Sequence, residues 1–122
     1  MKIKTSDLTL LALDWAVGYV RGEKLRILER QIVWPEDYSP STNWAQGGPI
    51  IEREEIELKV LANCLDTDDH PTFKPGDAWE ANLWPADKDL IEYCGPTPLV
   101  AAMRCYVAIK LGDTVDIPEE LK

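Results

Sequence analysis

The stretch "GPTPLVAAMRCYVAIKLGD", residues 95–113, decides the fold. Thr97 is a residue type that accepts hydrogen bonds at a helix start, Pro98 suits the first helical position, and Gly112 is a C-terminal stop. The spacing predicts a helix over about 98–111. Only Arg104 is charged before Lys110, so this helix is apolar on most faces and must be covered by its own domain or by another subunit.

A second helix of the same kind is predicted over about 7–21, with Thr5-Ser6-Asp7 as its cap and Gly22 as its stop. Leu8, Leu11, Ala12, Trp15, Ala16 and Tyr19 share one face. Asp14 is the only charge between Leu8 and Val20. Between the two helices lie shorter signals. Residues 23–34 read as one or two strands ended by Pro35, and Ile56, Leu58 and Val60 alternate as a strand, as do Trp79, Ala81 and Leu83. "PEDYSPSTNWAQGG" (35–48) reads as a long loop, Pro49 as the start of a short helix, and "WPADKDLIEYCGPTP" (84–98) as irregular chain. The predicted fold is α+β: a single domain over 1–122, with a small antiparallel sheet and the two apolar helices packed on one face of it. Their surplus apolar surface predicts a homo-oligomer.

Composition narrows the function. With 122 residues, 45% hydrophobic and 29% charged, the chain can bury one core and has the balance of a folded protein. A net charge of −9 opposes long-range attraction to long nucleic acids or anionic membranes. No apolar run is long enough to span a bilayer and no signal pattern opens the chain, so the expected location is the cytoplasm. Cys64, Cys94 and Cys105 form no CxxC pair and read as packing residues.

Catalysis is not expected. His70 is the sole histidine, and the acidic turn "DTDDH" (66–70) lacks the glycine and glutamate that a calcium loop would need at 71 and 77. Neither a metal site nor a cofactor is implied. The chemistry that stands out is recognition. Arg104, isolated in an apolar helix, needs a partner: either Asp14 on the other apolar helix or a ligand oxyanion held by its planar fork. The turns at "GGP" (47–49, with Gly48) and "GPTP" (95–98, with Thr97) each precede a predicted helix, where free N–H groups favour anions. Arg53 stands beside the first of these, between Glu52 and Glu54. Trp44, Trp79 and Trp84 lie in or near loops where an indole can pack or stack on a base, and Asn43 and Gln46 add amides beside Trp44.

At "LDWAV" (13–17), "NWAQGGPIIERE" (43–54), "GPTPLVAAMRCYVAIKLGD" (95–113) and "VDIPEEL" (115–121) the chain resembles the NinX-like family of tailed phages, small accessory proteins. It departs from the pattern at Glu55, where many relatives carry a glycine. In layout it is also similar to the phage anti-Thoeris sponges, oligomeric proteins that sequester cyclic ADP-ribose-type signals without cleaving them. That resemblance implies a non-enzymatic protein of the host cytoplasm. Arg53 and Arg104 would contact the phosphates of a small nucleotide, Gly48 and Thr97 would add turn donors, Asn43, Trp44 and Gln46 would contact sugar or base, and Trp79 would stack. The alternative expectation is an acidic interaction factor that inhibits a host or phage protein.

Overall fold

The computed structural model describes residues 2–22, 26–28, 31–34, 38–61, 76–86 and 89–118. The acidic turn at 66–70, His70 and Cys64 lie outside the described residues. The helix read first from the sequence is α3, Pro98–Leu111. The Thr97 hydroxyl accepts from the Val100 N–H at 3.2 Å, and Gly112 follows the last turn. Every residue from Leu99 to Ala108 is buried, which explains why the sequence has no polar stripe there: α3 is the central element, with neighbours on all sides.

One neighbour is a three-stranded antiparallel sheet of β4 (Glu57–Val60), β5 (Trp79–Leu83) and β6 (Ile91–Gly95), in that spatial order. Leu58 pairs with Ala81 and Ala81 with Tyr93, placing these three on one face, with Leu83 and Ile91 beside them. This face packs on α3 and forms the core. Gly95 is required at the end of β6, because a Cβ there would lie 2.7 Å from the Ala101 nitrogen in the first turn of α3.

The other neighbour is α1 (Leu10–Arg21), which packs on α3 rather than on the sheet. The layers therefore run sheet, α3, α1, so the two apolar helices do not lie side by side on one sheet face. The fold is α+β as expected, with α3 doing the bridging. The start of α1 also differs. Thr5–Asp7 forms a short 3-10 turn, whose Thr5 hydroxyl donates to the Gly112 carbonyl at 2.7 Å, and Thr9 occupies the position before the helix. Gly22 ends α1 at φ 76°, a conformation glycine adopts without strain.

Two ribbons complete the fold. β2 (Arg26–Leu28) and β3 (Gln31–Trp34) make a hairpin, and β1 (Lys2–Lys4) pairs antiparallel with β7 (Thr114–Asp116). α2 spans Trp44–Glu54, so "GGP" is not a turn before a helix but lies inside one. β6 likewise corrects the reading of 84–98 as wholly irregular.

Candidate functional site

The segment ahead of α2 is held by side chains from both ends. Asp14, buried in α1 at 4% exposure, accepts the Ser41 N–H on Oδ1 at 2.8 Å. Gln46 Oε1 accepts the Ser39 N–H at 2.6 Å, and Asn43 Oδ1 accepts from Ala45 N–H at 2.9 Å as the helix cap. Ser39 in turn accepts from the N–H groups of Thr42 and Asn43. Two of the residues expected to read a sugar or base, Asn43 and Gln46, thus use their side-chain oxygens to close this loop.

Burial pushes the Asp14 carboxyl above its usual value, and the hydrogen bond from the Ser41 backbone opposes that rise. The Ser41 hydroxyl lies beside the same carboxylate and weakly favours its ionised form. It is nevertheless buried at 1% exposure without a well-formed hydrogen bond.

α2 approaches α3 closely at Gly47. A Cβ there would sit 2.5 Å from the Pro40 carbonyl oxygen and 2.6 Å from Leu99 Cδ2. This contact brings the starts of α2 and α3 to opposite sides of one cleft of about 300 Å³. Ser41, Thr42 and Trp44 line the first side. Pro96, Thr97, Pro98, Leu99 and Val100 line the second. Trp44 is 54% exposed, and its ring runs back along α2 over Gly48, where a Cβ would meet it at 3.9 Å.

The structure thus brings Trp44 and Thr97 to one cleft, keeps Gly48 against the Trp44 ring, and leaves the two arginines elsewhere. Arg53 lies about two and a half turns along α2 from Trp44, on the opposite side of the helix. It is exposed, with Nε 3.4 Å from Glu54 Oε2. Arg104 is 4% exposed, its Nε donating to the Leu8 carbonyl at 2.9 Å and its Nη1 to the Cys94 carbonyl at 2.7 Å. Nη1 is also 4.0 Å from Asp77 Oδ1. Burial lowers the arginine's pKa, and the Asp77 charge works against that shift. Arg104 is therefore a structural tie between α3, the 3-10 turn and β6, and neither a partner of Asp14 nor an exposed ligand contact. Trp79 is half-buried in β5, opposite Gly95, and packs against the core.

Residues 4–110 match the family described as Bacteriophage P22, NinX. The chain belongs to that family. No curated protein matches it. The NinX match takes in all of α1 and α2, the three-stranded sheet and α3 up to Lys110, and therefore both walls of the cleft. β7 and the "VDIPEEL" stretch fall beyond it. As a NinX-family member the chain is a phage accessory protein.

Nothing in the sequence singles out Ser41 or Thr42, and Pro96 and Pro98 stand out only as parts of the "GPTP" helix start. Asp14 stands out in the sequence only as an isolated charge and a candidate partner of Arg104. Among the described residues no group of three or more His, Cys, Asp or Glu side chains is placed to hold a metal ion, and no helix is long and apolar enough to cross a membrane.

Proposed function

We propose that this phage accessory protein binds a small nucleotide signal of the host and sequesters it intact, so blunting a defence pathway in the host cytoplasm. The observation that carries this reading is Trp44: a half-exposed indole on the wall of a cleft whose other wall is the start of α3. An exposed indole over a concave surface is a stacking platform for a ring. Among the described residues the cleft is lined by no acid–base pair or activated nucleophile suited to cleavage, the hydroxyls there being those of Ser41, Thr42 and Thr97. Isothermal titration of the purified protein with cyclic ADP-ribose isomers and cyclic dinucleotides tests it. Stoichiometric binding is expected, with the ligand recovered unchanged after heat denaturation; absence of heat with every one of them overturns the reading.

The same proposal includes self-association. Leu11, Trp15 and Tyr19 repeat every fourth residue along α1; Leu11 is exposed, Tyr19 is 60% exposed, and the Trp15 and Tyr19 rings stack at 5.2 Å. Sedimentation of wild type and Tyr19→Glu at several concentrations checks this, a species of monomer mass at all of them being the adverse result.

A second reading rests on the charge of −9, which suits an acidic face presented to a basic host or phage protein. Recovery of one stoichiometric partner from infected cells, together with no nucleotide binding, would favour it.

A further inference from the structure

We infer that the Trp44 cleft recognises the flat ring of a nucleobase and leaves the phosphate outside, so that a nucleoside binds nearly as well as its nucleotide. The inference rests on the nucleotide reading above and specifies which part of the ligand the site holds.

The walls give the first argument. Among the described residues, none that lines the cleft is charged. A phosphate would have to rely on backbone donors at the start of α3, and these are almost used up. Pro98 has no N–H, the Val100 N–H goes to Thr97 Oγ1, and the Ala101 N–H goes to the Thr97 carbonyl. That leaves the Leu99 N–H in the first turn, too few donors for an anion cradle. Arg53 is on the far side of α2, Arg104 is committed to carbonyls, and the chain as a whole repels anions at −9.

What the cleft does offer suits a ring. The Trp44 indole supplies a large flat apolar surface on one side, and Pro96 and Pro98 lie on the other. On the α3 side the Thr97 hydroxyl, which accepts the Val100 N–H, has a proton of its own still to donate. A hydroxyl can donate or accept, so it fits the nitrogen-rich edge of a base. A volume of about 300 Å³ is at the small end of ligand pockets, enough for a base and part of a sugar rather than a whole dinucleotide. The rest of a larger signal would project into solvent.

The test is titration calorimetry of the full chain with the four ribonucleosides, their 5′-monophosphates, ribose 5-phosphate and inorganic phosphate, at low and high salt. At least one nucleoside is expected to bind within about threefold of its monophosphate, neither phosphate probe should bind, and salt should change affinity less than about twofold, because no phosphate is neutralised. Trp44→Ala is expected to weaken nucleoside and nucleotide alike by about ten- to a hundredfold, with an unchanged melting temperature. Binding of nucleotides but not nucleosides, or competition by ribose 5-phosphate, overturns the inference while leaving the proposed function standing. The same holds if a cyclic nucleotide binds and no nucleoside displaces it. If no nucleoside, nucleotide or cyclic signal binds, both fall.

Discussion

Arg104 donates its Nε–H to the carbonyl of Leu8 at 2.9 Å, across almost the whole length of the chain. Together with Nη1 on the Cys94 carbonyl and the nearby Asp77 carboxylate, this makes one guanidinium the common partner of three segments. Removing it strands buried acceptors. Arg104→Met is expected to lower the unfolding free energy by about 3–5 kcal/mol, the usual cost of breaking a buried, hydrogen-bonded charge. Arg104→Lys keeps the charge but loses the planar fork, and should still cost about 1–3 kcal/mol. Urea denaturation of both variants measures this. A loss below about 0.5 kcal/mol for the methionine variant would show that the tie is dispensable.

Gly47 and Gly48 are neighbours in α2 with opposite packing. A methyl at Gly47 would run into Pro40 and Leu99, whereas one at Gly48 would make ordinary contact with the Trp44 ring. Gly47→Ala is therefore expected to destabilise by about 1–3 kcal/mol through overpacking. Gly48→Ala should stabilise by about 0.5–1 kcal/mol, since alanine orders a helix at lower entropic cost. Thermal melts of the two single variants decide the matter: equal shifts of the same sign would contradict the placement of α2 against α3.

The same pair of glycines shows where the sequence was legible and where it misled. The helix expected over about 98–111 is α3, Pro98–Leu111, and it is legible because its signals are local: a capping threonine, a proline in the first turn and a glycine at the end. "GGP" was read as a turn by the same logic, yet close packing against Leu99 explains Gly47, and helix α2 continues through Pro49. The start of α2 does carry a signal: Asn43 followed three residues later by Gln46 is a helix-start spacing. Ile91 and Tyr93 also alternate as a strand should, inside a segment dominated to the eye by prolines and aspartates. The β1–β7 pairing joins residues more than a hundred positions apart, and nothing in either three-residue segment announces it.

For the site, the sequence marked Trp44 and Thr97 but not the cleft they share. It also ranked Arg104 first. An isolated buried arginine does demand partners, but those it finds are the backbone carbonyls of Leu8 and Cys94, and every residue carries a carbonyl. Side-chain identity therefore cannot reveal such a pairing. Asp14 misleads for the same reason, since its partner is the Ser41 N–H and not the one other isolated charge.

Glu55 ends α2 in the left-handed region, at φ 55° and ψ 48°, and is the only non-glycine residue with positive φ among those described. A Cβ costs about 1 kcal/mol in that conformation and glycine avoids the cost, so a glycine would suit this position better than Glu55 does. Glu55→Gly is expected to raise stability by up to about 1 kcal/mol, less the greater entropy of the glycine variant when unfolded. Chemical denaturation with both proteins at one pH tests it, and a clear loss of stability would mean that the Glu55 side chain makes a compensating contact.

Asp14 gives the fold a pH dependence of known sign. Burial holds its carboxyl above the ordinary value of 3.8, so the folded state binds this proton more tightly than the unfolded chain does. The resulting contribution to stability is complete below the unfolded value and is lost as the pH rises through the folded one. Asp14→Asn keeps an oxygen for the Ser41 N–H and removes the desolvated charge. Its stability at pH 7 should match or exceed that of wild type, and the difference should shift in favour of wild type as the pH falls toward 3.8. Asp14→Ala strands the Ser41 N–H and is expected to cost about 1–3 kcal/mol at any pH in that range. It should also loosen the Ser41–Thr42 wall of the cleft, seen as faster hydrogen exchange over residues 39–43. A wild-type to Asp14→Asn difference that stays flat from pH 7 to pH 4 would show that the Asp14 carboxyl titrates alike in the folded and unfolded chains.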